Sequence, residues 1–537
     1  MGYFPGVRCL ALLLLASTAA AETVVDREGD VFVGTVELRV AEETVVCGGA
    51  PRPLDRILLV EREDGTVVFC RDVADRLLAY RVLARHGIRH RALALLPDAL
   101  QRKAGSHART LFDLAVRAGL PEKERKALER RVKAAEAKKP KPEDGERIGR
   151  EVASLASLEC DLFVARARMA PADDAARLPL LREAFSLDKG HAGAHALLAE
   201  LLPATFPFGD GLAWLHWRLD LEPLGFGFAD ENELELKRAR HFWRPDLIGI
   251  TGPGFLVVTA VRDASEVEFV LLRTRLLCGA LEDLFATNAP RRKERKPLVL
   301  LLHSDRDDYR KHAQDYTRLR DASFLETSLG HYAAADELSR IFRPRGKEAE
   351  DFTFFLAHVL TRHWLMTRNP RYTASEALKS YGNAGAWVEV GLAMLLAEAV
   401  CDHASGRIEL FQPKAESLDV VRALAGGKGV PWAALLLVNG ADLGDLSRET
   451  NIPVERRTAR GSFRYSASSI FDLQAAALCS FLLHAERGAR RGLLVDYVTN
   501  HYRGEGAALN PRTAFGMSGD ELGRAVESFA ASSVGGG

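Results

Sequence analysis

The sequence has no excess of charge of either sign, and this absence limits what the chain can bind. Lysine and arginine together number 73, and aspartate and glutamate also number 73, so the formal net charge is zero. Without a net positive field, nothing draws the whole chain to nucleic acid or to an anionic membrane. We therefore do not expect nucleic acids among its partners.

Apolar runs long enough to cross a bilayer are also missing. The longest one, Cys9–Ala16, falls short of the roughly 20 residues that a spanning helix needs. It follows Arg8 and precedes the small residues Ser17–Ala21, and this order is typical of a secretory signal peptide. We expect residues 1–21 to be a signal peptide. We also expect that the chain has no transmembrane segment and that it is periplasmic or extracellular.

The chain has no C-x-x-C pair among its seven cysteines, and Cys9 leaves with the signal peptide. In an exported protein, Cys47 and Cys70 are candidates for a disulfide, because each one ends an apolar, strand-like run. Cys47 and Cys70 could equally be buried free thiols, and we expect the other four cysteines to be buried free thiols.

A chain of 537 residues exceeds one hydrophobic core, so we expect a multidomain α+β protein. Residues 22–80 alternate short strands with turns and predict a small β-barrel-like module. Residues 81–205 predict α-helical hairpins, with Leu111, Leu114, Ala115 and Ala118 at helical spacing before Gly119 and a charged linker near 133–147. Residues 180–199 resemble half of a tetratricopeptide-type repeat, but a single copy predicts hairpins rather than a repeat array.

After a connector at 206–249, residues 250–535 predict a second α+β arrangement. Strands at Phe255–Ala260 and Leu298–Leu302 flank an amphipathic helix from Ser265, and two further helices lie at 351–365 and 386–397. The last two resemble the core helices of gluzincin metallopeptidases, in which H-E-x-x-H precedes W-x-x-E-G-x-A. The resemblance implies a gluzincin-like fold, with a small sheet followed by a helical half.

In that motif two histidines at i and i+4 and a downstream glutamate hold zinc, while the intervening glutamate polarises water. His358 stands at the first ligand position. The other three functional positions hold Val359, Arg362 and Val390. Only one of the four groups is retained, so the resemblance implies the fold without the zinc cofactor or the catalytic residues.

Three neighbouring side chains are candidates to replace the lost ligands. His363 is five residues after His358, roughly 140° around the helix, and Glu389 is one residue before the ligand position, so we expect both to be rotated away from the site. His403 lies beyond the end of the second helix. Helical geometry opposes a site built from these residues, and Arg362 adds a positive charge where a cation would bind.

The sequence around these helices resembles the peptidase-MA-like domain of large secreted bacterial proteins. His331 and Tyr332 are similar in position to that family's substrate-side edge hairpin, so we expect them, with Trp387, to line a groove for an extended peptide. The leading hypothesis is a non-catalytic pseudopeptidase that binds protein or peptide. The alternatives are a zinc metallopeptidase with a rearranged site, and a protein that acts through its N-terminal β and helical modules.

Overall fold

The computed structural model describes most of the chain. The described residues are 22–27, 30–34, 36–39, 44–47, 50–61, 67–69, 73–101, 104–136, 146–170, 174–285, 297–316, 328–333, 336–344, 352–368, 385–402, 406–413, 415–424, 429–437, 455–458, 461–464, 467–503 and 510–533. They form a mixed α+β protein that is mostly helical, with several small sheets and one larger mixed sheet. The chain divides into two compact units, which meet in sequence between Leu219 and Asp220.

Unit 1 begins with two antiparallel sheets. The first has the order β2-β1-β6-β7 and the second β3-β4-β5. Their strands are β1 (Glu22–Asp26), β2 (Val31–Gly34), β3 (Val36–Arg39), β4 (Thr44–Cys47), β5 (Ala50–Pro53), β6 (Ile57–Glu61) and β7 (Val67–Phe69). Among the described residues these are two separate sheets rather than one barrel, and the first helix already starts at Val73, inside the predicted β module.

The rest of unit 1 is helical, as the sequence predicts. Its helices are α1 (Val73–Gln101), α2 (Gly105–Arg117), α3 (Glu122–Glu136), α4 (Glu146–Met169), α5 (Asp174–Leu187), α6 (Ala192–Leu201) and α7 (Gly211–His216). The predicted apolar face of α2 is confirmed, since Leu111, Leu114 and Ala115 are fully buried, and Gly119 ends the helix region with a φ of 89°. Part of the predicted linker, residues 137–145, lies outside the described residues.

Unit 2 is built on a six-stranded sheet in the order β12-β13-β11-β10-β9-β8. Its strands are β8 (Gly227–Phe228), β9 (Ile248–Gly252), β10 (Phe255–Thr259), β11 (Leu298–His303), β12 (Gly330–Ala333) and β13 (Leu338–Phe342). The central strands β10, β11 and β13 are parallel, and β12, β9 and β8 are antiparallel to their neighbours. All side chains of β10 and β11 are buried, because both faces of the sheet are covered.

Residues 206–249, predicted as a connector, contain regular helices and strands. They include β8 and part of β9, and also α8 (Leu234–Phe242), which packs on the sheet. Leu236 and Leu247 join Leu256 and Val299 in one buried cluster, so apolar burial attaches α8 and the residues just before β9 to the sheet of unit 2.

Helices complete unit 2. They are α9 (Ala264–Phe285), α10 (Arg306–Tyr316), α11 (Phe352–Arg368), α12 (Ala386–Glu398), α13 (Glu416–Leu424), α14 (Trp432–Leu437), α15 (Ala467–His484), α16 (Arg491–Arg503), α17 (Pro511–Phe515) and α18 (Gly519–Ser532). Two antiparallel hairpins pair β14 (Val400–Asp402) with β15 (Arg407–Glu409), and β16 (Glu455–Thr458) with β17 (Gly461–Arg464). Within the described residues, no helix is both long and apolar enough to cross a membrane.

Candidate functional site

The two helices that carry the degenerate motif pack directly against each other. Helix α11 also contacts β12 and β13, while α12 lies between α11 and α15. Gly391 allows the second of these contacts, because a Cβ atom there would lie 2.6 Å from the carbonyl oxygen of Ala475. The glycine of the motif therefore sets how closely α12 approaches α15.

His358, Arg362 and Glu389 meet where α11 faces α12. Arg362 lies one turn after His358, and its Nε is 3.4 Å from Oε2 of Glu389. The two charged side chains are 25% and 17% exposed, so the ion pair is partly shielded from water. Glu389 is therefore turned toward α11, which corrects the inference that it points away from the site.

The environment of His358 keeps its imidazole neutral. Burial, with a further contribution from the Arg362 cation, lowers the pKa of His358 to about 4, and the Glu389 carboxylate opposes this only in part. Its Nδ1 is buried and has no hydrogen-bond partner among the described residues. The site thus holds one neutral imidazole beside one cation and one anion.

The remaining motif positions are apolar in character. Val359, at the position of the general base, is fully buried, and Val390, at the third ligand position, is 7% exposed. Trp387 is fully buried and donates a hydrogen bond from Nε1 to the hydroxyl of Tyr497 at 3.2 Å. It therefore lies in the packed core of the helical half rather than in a groove.

His363 belongs to a different environment from His358, as helical geometry predicts. Its Nδ1 is 2.8 Å from the hydroxyl of Ser339 on β13, and its ring stacks on Tyr332 with the centroids 4.7 Å apart. This side of α11 faces the sheet. His363 and His358 are consequently not brought together, and His403 lies outside the described residues.

His331 and Tyr332 point to opposite faces of the sheet, because successive side chains of a strand alternate. Tyr332 faces α11, whereas the Nδ1 of His331 is 2.8 Å from the hydroxyl of Tyr309 on α10. His331 is 7% exposed and Tyr332 is 8% exposed, so neither side chain lines an open groove. Among the described residues β12 is an edge strand that pairs only with β13, and Gly330, His331 and Tyr332 are buried as whole residues.

The face of the sheet opposite α11 holds a buried polar cluster that the sequence analysis missed. The carboxylate of Asp308 accepts hydrogen bonds from the indole of Trp243 at 3.0 Å and from the backbone of Ser304 at 3.2 Å. It also lies 3.3 Å from Nδ1 of the fully buried His303, and these contacts hold the pKa of Asp308 at about 2. The sequence feature that could have revealed this cluster is His303, a polar residue at the end of an otherwise apolar strand.

Two more imidazoles and an arginine complete this cluster. Arg340 on β13 is 1% exposed and forms an ion pair with Asp336. Its Nε is 3.3 Å from Nδ1 of His312. Burial and neighbouring cations lower the pKa values of His312 and His331 to about 3. These groups are satisfied largely by one another and are buried, which fits a structural role in joining α10 to the sheet.

The described residues do not fit a zinc ion held in the manner of the H-E-x-x-H motif. At the α11–α12 site the metal donors are His358 and Glu389, and Glu389 is already paired with Arg362. In the described ranges, no group of three histidine, cysteine, aspartate or glutamate side chains is arranged to hold a metal ion. For the candidate disulfide, Cys47 ends β4, whereas Cys70 lies outside the described residues.

Comparison with known proteins gives no relative: no protein-family model matches the chain, and no curated protein matches it.

Proposed function

We propose that unit 2 is a gluzincin-like scaffold without peptidase activity, in an exported protein that binds protein or peptide. The observation that carries the proposal is the Arg362–Glu389 ion pair beside His358. It joins the same two helices that a metal bridges in a gluzincin. The order along the chain, with the sheet first, then the two motif helices and then the remaining helices, supports the same interpretation.

Electrostatics argues against a metal at this position. Arginine stays protonated at any physiological pH, so Arg362 is a permanent cation. Two unit charges 4 Å apart interact by about 4 kcal/mol in a medium typical of a protein surface, and a divalent ion doubles this repulsion. A second histidine in place of Arg362 would instead donate a lone pair.

Peptide recognition is assigned to the edge strand β12. An edge strand has N–H and C=O groups that no further strand of its sheet pairs, and an extended peptide adds to it through main-chain hydrogen bonds. Because the side chains of His331 and Tyr332 are buried, binding at this edge depends on backbone contacts and tolerates many peptide sequences.

The experiment that tests the absence of a metal site is elemental mass spectrometry of the purified mature protein. We expect no stoichiometric zinc in the wild type or in His358→Ala. The double variant Arg362→His with Val390→Glu restores a His-His-Glu ligand set, and we expect it to retain about one zinc per chain. Zinc in the wild type that His358→Ala removes would overturn the proposal, and a rebuilt variant without zinc would argue against the gluzincin-like geometry.

Peptide binding is tested separately with an array of extended peptides. Each peptide is paired with a version that is N-methylated at alternate residues and so lacks the amide donors of one edge. We expect binding to the unmodified member of each pair only. Equal binding of both members, or no binding above background, would contradict strand addition at β12.

A further inference from the structure

A cavity of about 290 Å³ lies among α13, α14, α15 and α18 in the helical half of unit 2. Its volume is at the small end of the roughly 300–1,000 Å³ typical of ligand sites, so it suits a head group or a single side chain. The apolar part of its wall comes from Val421, Leu424, Pro431 and Trp432. No residue of the α11–α12 site lines it.

The walls of this cavity are held in place by close packing. The amide of Gln474 accepts a hydrogen bond from the backbone N–H of Val430 at 2.9 Å and donates one to its carbonyl at 3.1 Å. The ring of Trp432 lies on the backbone of α18 at Gly523, where any Cβ atom would collide with it. Both side chains are therefore fixed before any ligand arrives.

The charged groups that line this cavity are two carboxylates. The oxygen and one N–H of the Gln474 amide are engaged by Val430, and the indole N–H of Trp432 donates to Oε1 of Glu527 at 3.2 Å. Oε2 of Glu527 and the carboxylate of Asp520 remain. In the part of the chain that the structure describes, no lysine, arginine or histidine forms an ion pair with either acid.

We propose that this cavity binds an alkylammonium group, with Trp432 as the aromatic wall and Glu527 and Asp520 as the counter-charges. An aromatic ring attracts a cation through its negative face, and carboxylates at the same opening add a Coulombic attraction. The apolar residues accept the carbon atoms attached to the nitrogen. Both a free organic amine and a lysine side chain of a peptide offer this chemistry.

The test is calorimetric titration of the purified full chain with choline, n-butylammonium and N-acetyl-lysine-N-methylamide. The matched neutral probe is 3,3-dimethylbutanol, which has the shape of choline without its charge. We expect the cations to bind at least 10-fold more tightly than the alcohol. Stronger binding of the lysine derivative than of butylammonium supports a peptide lysine, and the reverse order supports a free amine.

Two charge-neutral variants locate the binding. Glu527→Gln keeps an acceptor for the Trp432 indole, and we expect it to weaken cation binding about 10-fold, as does Asp520→Asn. Glu409→Gln removes an equal charge from the exposed strand β15 and should leave binding unchanged. Binding of the neutral alcohol as tight as that of choline, no binding of any cation, or no effect of either cavity variant would overturn the proposal.

Discussion

Gly391 allows a direct test of how α12 packs, because its missing side chain sets the distance to α15. A Cβ atom there would lie 2.6 Å from the carbonyl oxygen of Ala475 and 2.9 Å from Sγ of Cys479. Both neighbours are fully buried, and the carbonyl belongs to a helix backbone that cannot rotate away. We predict that Gly391→Ala destabilises unit 2.

Two effects of opposite sign set the size of this change. An added methyl in a packed core costs about 1–3 kcal/mol, and a contact with backbone places the cost near the upper limit. Alanine returns about 1 kcal/mol because it favours the helix more than glycine does. The expected net loss in the free energy of unfolding is therefore about 2 kcal/mol.

Gly279 in α9 is the matched control, because no atom lies within 4 Å of a Cβ built there. Gly279→Ala gains the same helix propensity without a clash, so we expect it to stabilise the protein by about 1 kcal/mol. The difference between the two variants isolates the steric cost, about 3 kcal/mol. Urea unfolding followed by tryptophan fluorescence measures both values. Equal stability of the two variants would show that α12 does not approach α15 at Gly391.

Three further predictions concern charge, pH and oxidation. A double-mutant cycle of Arg362→Met and Glu389→Gln should give a coupling energy of about 1 kcal/mol that falls at high salt, as expected for a partly exposed pair. A coupling energy of zero would contradict the ion pair. Because the pKa of His331 is lowered to about 3 in the folded protein, its contribution to stability is complete above pH 6.5 and is lost as the pH falls toward 3. His331→Phe should reduce the pH slope of stability by up to about 1.4 kcal/mol per pH unit between pH 4 and 6, and an unchanged slope would contradict the lowered pKa. If the protein is exported without residues 1–21 and Cys47 and Cys70 form a disulfide, alkylation of the denatured, unreduced chain should label four of the remaining six cysteines, and six labels would exclude the bond.

The sequence predicted the long elements of unit 2 because their patterns are local. The strand predicted at Leu298–Leu302 is β11, which runs one residue further to His303, and the helix predicted from Ser265 is α9, which starts at Ala264. An uninterrupted apolar run and a helical apolar face both report burial directly. The short elements β8 and α8 were not predicted within residues 206–249, because such short segments carry little local pattern; β8 pairs with β9, and α8 packs against the sheet.

The partner of Arg362 was beyond the sequence because it depends on how two helices are rotated about their axes. Residue spacing correctly separated His358 from His363, since that angle lies within one helix. The same reasoning placed Glu389 away from the site, yet its carboxylate reaches Arg362. The angle between side chains on two helices follows from how the helices pack, and here the contact of Gly391 with α15 contributes to it. This angle cannot be read from a single sequence.

The energies of these two contacts indicate what holds the proposed site together. The ion pair between Arg362 and Glu389 contributes about 1 kcal/mol, because both side chains keep some contact with water. The steric cost that we expect from a methyl at Gly391 is larger, about 2 kcal/mol net. Helix α12 therefore has less freedom to move at its contact with α15 than at the ion pair. This ranking explains how unit 2 can keep its helix arrangement without a metal bridge, and it requires Gly391→Ala to destabilise the protein more than Arg362→Met does.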